Sequence, residues 1–173
     1  MDVWTAVATK RMIRRYADGP LDEADLRRIL HAGRRGASSK NQQRWDFIVV
    51  QDRDGLVRLS KVGKYAGHLA GAPAAIALVT PDPRPPGSPM SLMFDLGMAA
   101  ANIMLVAWEL GVGTCPITVY DPELTREILG YPQDRHCAFM ISLGYPADPS
   151  ELTAPPRKGG RKSLDDVVHE ETW

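Results

Sequence analysis

Four cations fill six positions near the start of the chain: Lys10, Arg11, Arg14 and Arg15, with no acid among them. Arginine's planar fork matches the oxygens of a phosphate, and a cluster at a helix–coil boundary can converge on one anion. A solvated basic turn is the other reading. The chain as a whole carries 21 basic and 21 acidic residues and no net charge. A general nucleic-acid binder is basic overall, so none is expected here and any anion site is local. A second basic run, "RKGGRKSL" (157–164), lies near the other end. Gly159 and Gly160 let the backbone bend so that Arg161 and Lys162 can approach an anion; a mobile basic tail is the alternative.

Two further stretches have chemical potential. "GASSKNQQRWDF" (36–47) places small residues, hydroxyls and amides just before an apolar strand. Such a loop presents polar groups to a flat, polar-edged ring, or is an ordinary Ser/Asn loop. "GVGTCPITVYD" (111–121) is a strand running into a turn, where Pro116 fixes φ and leaves neighbouring N–H groups free to face a ligand. Neither stretch is specific alone. No GxGxxG follows a strand, and no P-loop, HExxH, GxSxG or zinc-ligand spacing occurs. No metal is expected.

These stretches need a scaffold. Residues 2–9 read as a short helix packing Val3, Trp4 and Val7. Residues 21–36 read as an amphipathic helix with Asp22 as N-cap and Gly36 as its end. Apolar strands are expected at 45–51, 74–80, 112–120 and 136–146. Residues 52–71 read as helix or helix plus turn, and 81–90 as a five-proline loop. The longest helix, 91–111, is apolar nearly all round, which predicts burial on most sides. A membrane span is its rival, but Asp95, Asn102 and Glu109 interrupt it. Asn102 needs a partner, because a buried unpaired amide costs about 1–3 kcal/mol. A short helix at 121–130 has Asp121 as N-cap, Pro122 at its first position and Gly130 after its end. Buried, non-alternating strands mixed with helices imply a central sheet covered on both faces. At 173 residues and 44 % apolar content, one domain is expected. The first ten residues contain no signal-peptide core, and Cys115 and Cys137 have no partner spacing. A cytoplasmic protein with reduced, structural thiols is the expectation.

In this order, KRMIRRY, ASSKNQQRWDF, LGVGTCPITVYD, LGYP and RKSL resemble the motifs of the flavin-dependent nitroreductase family. The resemblance spans nearly the whole chain. It implies an α+β, nitroreductase-like fold over residues 1–173, with a central, mostly antiparallel sheet flanked by helices, in an intertwined homodimer. FMN lies at the subunit interface in such proteins, and both chains contribute to each site. By resemblance Lys10, Arg11, Arg161 and Lys162 meet the phosphate, and Arg14 meets the pyrimidine edge of the flavin. Ala37, Ser38, Ser39 and Asn41 match the loop against the ring or ribityl chain. Pro116, Ile117, Thr118 and Val119 match the turn beside flavin N5, which carries the chemistry, so no catalytic side chain is implied. Met12 stands where the family usually has Ser. Arg44 and Asp46 replace Pro and His and are expected to pair with each other. Tyr65 and His68 lie where members place residues over the flavin or substrate.

The implied activity is an NAD(P)H oxidoreductase working by a ping-pong cycle, with a nitroaromatic, quinone or similar small molecule as electron acceptor. Other flavin chemistry on the same scaffold, a non-catalytic flavin-binding dimer, and a deazaflavin in place of FMN are alternatives. No membrane partner is implied.

Overall fold

The computed structural model describes residues 1–155, 159 and 161–173. Its centre is strand β2 (Ala74–Pro81), whose seven residues from Ala74 to Thr80 are all buried. A run of small and branched apolar residues with no polar alternation is what a strand covered on both faces requires. Around it stand β1 (Asp46–Val50), β3 (Gly113–Thr118) and β4 (Arg135–Gly144). The order is β1-β2-β4-β3, and every pairing is antiparallel. The fold is therefore α+β.

Alternation along β2 sorts the core into two layers. Ala75, Ala77 and Val79 face Leu56, Leu59, Val62 and Leu69, on and after helix α3 (Arg53–Leu59). Ala74, Ile76 and Leu78 face helices α2 (Glu23–Gly33) and α4 (Ser91–Glu109), through Ile29, Leu96, Ile103 and Ala107. Asp22 caps α2, accepting from the N–H groups of Ala24 and Asp25. Asp121 caps helix α5 (Pro122–Leu129), which Gly130 ends at φ 70°. Such caps occupy otherwise unpaired N–H groups of the first turn, each worth about 1 kcal/mol.

Several expectations are corrected. Helix α1 (Val3–Thr9) turns Ala6 inward, while Val3 and Trp4 are 78 % and 77 % exposed and Val7 is exposed too. Helix α2 ends at Gly33, three residues before Gly36. Gly36 serves close approach instead: a Cβ there would lie 2.9 Å from the Cα of Ala99. Helix α4 has the length and composition of a span, yet its buried residues lie on the sheet. Within the single chain Phe94, Gly97 and Ala101 stay exposed on its other side. Asn102 donates to the carbonyl of Ala32 at 3.3 Å, so its partner lies within the chain. Asp46 pairs with Arg135 at 3.5 Å rather than with Arg44. The proline-rich loop is anchored: Asp82 grips Arg84, its N–H donates to Asp134, and its carbonyl accepts from Ser88. Cys115 and Cys137 are buried free thiols, as expected.

Candidate active site

The opening basic segment is laid along the free edge of β3. Met12 bridges Thr114 in parallel, and the Ile13 N–H donates to the Thr114 carbonyl at 3.0 Å. Gly113 permits this approach, because a Cβ there would fall 2.6 Å from Ile13. The Tyr16 hydroxyl donates to the Ile13 carbonyl at 2.8 Å and lies 2.6 Å from the Ser142 hydroxyl, which donates to the Cys115 carbonyl. Opening segment, β3 and β4 are thus one hydrogen-bonded unit.

The ladder decides which backbone groups of β3 are free. Val119 donates to Ala138 at 2.9 Å, and antiparallel pairing alternates. Ile117 and Cys115 therefore also face β4, while Thr114, Pro116 and Thr118 face outward. Ile13 takes the Thr114 carbonyl. Pro116 has no N–H, which suits an edge position. The carbonyl of Thr118 faces Gly63, and its N–H points out of the sheet. Of the four residues expected around this turn, Thr118 supplies the outward donor. Ile117 is buried core, and the Val119 N–H is committed to the ladder.

The cations gather beside this edge. Lys10 is half-buried; burial, and secondly the charge of Arg161, hold its ammonium below the usual lysine range. Among the described residues no acid pairs with Lys10, Arg11, Arg14, Arg161 or Lys162. Arg11 is partly engaged, donating to the carbonyls of Ala154 and Pro155, with its buried Nε left unpartnered. Arg161 and Lys162 are exposed, and Gly159 bends the chain at φ 78°. Gly160, Pro156, Arg157 and Lys158 lie outside the described residues.

Arg14 is exposed, and its charge acts on Cys115, Tyr16 and His68. Burial raises the Cys115 thiol and Arg14 opposes that rise. His68, on the 3-10 turn Gly67–Gly71, is lowered first by burial and then by Arg14, against a hydrogen bond with the Tyr65 backbone. Its buried Nε2 has no partner. Sequence motifs gave only a positional hint of His68; its unpartnered buried nitrogen, a feature it shares with His136 Nδ1, emerges from the structure alone. Tyr65 is 71 % exposed.

His136 is likewise lowered, first by burial and then by Arg84. A base whose folded pKa lies below its unfolded value makes the unfolded state bind more protons. Stability contributed by neutral His68 and His136 is present above the ordinary histidine value of 6.5 and falls as pH drops below it. Urea midpoints are expected to fall from pH 7.5 to pH 5.5, and His68→Gln with His136→Gln to flatten that fall.

The other expected residues lie elsewhere. Ala37, Ser38, Ser39 and Asn41 form a loop against the start of α4, where the Ser39 N–H donates to buried Asp95 at 3.0 Å. The opening segment is tied to the other end of α4, where Trp108 Nε1 donates to Thr9 at 3.0 Å. Thirteen helical residues at 1.5 Å each separate these anchors by about 20 Å. Among the described residues no hydrogen bond or ion pair links the two groups. The opening segment is thus anchored near the end of α4 and the Ala37–Asn41 loop near its start, while Pro116 of β3 lines a cavity with Met93, Leu96 and Gly97.

Comparison with known proteins places this arrangement. The model of the nitroreductase family matches residues 7–64 and 57–145. The chain belongs to the nitroreductase family. A relative from Archaeoglobus fulgidus, provisionally named NADH dehydrogenase/NAD(P)H nitroreductase, is 34 % identical over 172 residues, covering 96 % of each chain. A solved FMN-dependent nitroreductase from Clostridium difficile R20291 superposes with a TM-score of 0.83 at 28 % identity, covering 99 % of this chain and 100 % of that one. The structure of a hypothetical oxidoreductase from Bacillus subtilis gives a TM-score of 0.87 at 25 % identity, covering 100 % of this chain and 75 % of that one. The nitroreductase fold expected from the motifs is therefore the fold found.

Proposed function

We infer that this nitroreductase-family chain is a homodimeric FMN-dependent NAD(P)H oxidoreductase, with residues 1–173 acting as one FMN-binding domain. The observation carrying this reading is the pairing of the opening basic segment with the free edge of β3, which sets Lys10, Arg11 and Arg14, unpaired by acid among the described residues, along the strand that carries the outward N–H of Thr118.

The residues fit the cofactor. Two like charges in mutual repulsion suit the phosphate, which carries about −2 near neutral pH. The unpartnered Nε2 of His68 and the outward N–H of Thr118 suit the polar edge of a flat ring. When bound, FMN supplies the redox chemistry, accepting hydride from NAD(P)H and then reducing a nitroaromatic, quinone or similar acceptor in a ping-pong cycle. Lys10, Arg11, Arg161 and Lys162 neutralise the phosphate. Arg14 places positive charge where electron density grows, and it is fixed in advance by the β3 pairing of its segment. The Thr118 N–H holds the ring's reactive edge in register. No side chain is assigned a proton-transfer role.

In this reading the Ala37–Asn41 loop of a second copy completes each site. Large apolar surfaces are available for that pairing: Val3 and Trp4 on α1, Phe94 on α4, and Leu164, Val167, Val168 and Trp173 in the tail are all exposed. Purified protein is expected to be yellow, bleached by NAD(P)H and recoloured by acceptor, with parallel double-reciprocal plots. Colourless protein that ignores added FMN would remove the reading. Trp4→Glu with Phe94→Glu is expected to give monomers by light scattering and to lower bound flavin at least tenfold.

A further inference from the structure

The loop from Ser38 to Gln43 has an unusual backbone. Lys40, Asn41 and Gln43 stand at φ 53°, 55° and 48°. Asparagine tolerates this left-handed region; lysine and glutamine enter it at a cost. Specific bonds hold the loop there. The Gln43 N–H donates to the Ser38 hydroxyl oxygen at 3.0 Å. Gln43 Nε2 donates to the Asn41 carbonyl at 3.3 Å and to Asn41 Oδ1 at 3.0 Å.

Those contacts decide the orientation of two amides. A backbone carbonyl only accepts, so the end of the Gln43 amide facing residue 41 is its NH2. The Asn41 atom meeting that same NH2 is therefore an oxygen. The Asn41 NH2 then lies on the side away from Gln43, with no hydrogen-bond acceptor among the described residues. The Ser38 oxygen is already an acceptor from Gln43, so its proton is free for an outside partner. The loop displays donors.

We propose that Gln43 is a positioning residue that sets the polarity of Asn41, so that the loop binds acceptor oxygens of the flavin: ring carbonyls, ribityl oxygens or phosphate. This rests on the FMN reading above. Gln43→Glu turns an acceptor toward Asn41, which then rotates its NH2 inward and shows its oxygen to the ligand. Gln43→Leu leaves the Asn41 amide free to rotate.

The test is FMN affinity of the purified dimer by flavin-fluorescence quenching at 0.5 M salt, where exposed charge is screened. One net hydrogen bond corresponds to about three- to tenfold in Kd. Gln43→Leu is expected to lie near the lower end and Gln43→Glu at or above the upper end. In an Asn41→Ala background both Gln43 changes are expected to have no further effect, since the coupling runs through Asn41. Gln43 variants within about twofold of the parent overturn the assignment. So does an effect that persists undiminished without the Asn41 amide, which would make Gln43 merely structural. A parent that takes up no FMN overturns the functional reading itself, whatever the variants do.

Discussion

Arg14→Ala is expected to raise the FMN Kd about ten- to a hundredfold and to make the potential of the bound flavin more negative, while leaving thermal unfolding nearly unchanged. The binding term follows from losing a hydrogen bond to a charged partner, worth about 1.5–3 kcal/mol. The potential follows from losing a fixed positive charge beside the ring that gains electrons. Stability is spared because Arg14 is exposed and forms no ion pair among the described residues, so no buried partner is stranded. Arg14→Lys should restore part of the potential shift, since it restores charge without the planar fork. Fluorescence titration and redox-dye equilibration measure both quantities. Parent-like values in both would remove Arg14 from the site.

Gly113→Ala is expected to lower stability by about 1–3 kcal/mol, the usual cost of overpacking, and to strip flavin from the protein. The added Cβ would sit 2.6 Å from two atoms of Ile13, whose side chain is fully buried. Ile13 cannot retreat, since its N–H is bonded to Thr114 and its carbonyl accepts from Tyr16. Relief requires the opening segment to leave the β3 edge, which carries Lys10 and Arg14 away from Thr118. Differential scanning calorimetry should show a fall of about 2–4 °C per kcal/mol for a chain of this size. Gly130→Ala, where a Cβ meets nothing within 4 Å, is the contrasting case. Its φ of 70° costs stability, but it leaves the site in place and flavin content at the parent level.

Much of this architecture could be read from residues alone. The strands announce themselves as uninterrupted apolar runs, because a strand covered on both faces has no solvent side to mark. The caps at Asp22 and Asp121 follow from local hydrogen bonding that needs no tertiary context. Errors arose where a residue's role is set by something distant. Val3, Trp4 and Val7 have helical spacing, but only Ala6 finds a core to enter. Gly36 looks like a helix stop and is a contact with Ala99, some sixty residues later. Asp46 sits two residues from Arg44 yet pairs with Arg135, whose long side chain reaches it from β4 across the intervening β2. The basic residues were legible as composition. Where the opening segment and the Ser38–Asn41 loop are anchored along α4 was not, because it depends on the distant contacts of Thr9 with Trp108 and of Ser39 with Asp95.

Subunit complementation tests the central claim most directly. Arg14→Glu damages the opening segment and Ser38→Glu the Ala37–Asn41 loop. Each homodimer should bind FMN poorly, since every site contains a defect. A mixed dimer holds one site with both defects and one with neither, so the two-chain account predicts recovery of one tight FMN site per mixed dimer, with NAD(P)H oxidation returning alongside it. If mixed dimers, isolated through two different affinity tags, bind FMN no better than either parent variant, each site lies within a single chain and the account is contradicted.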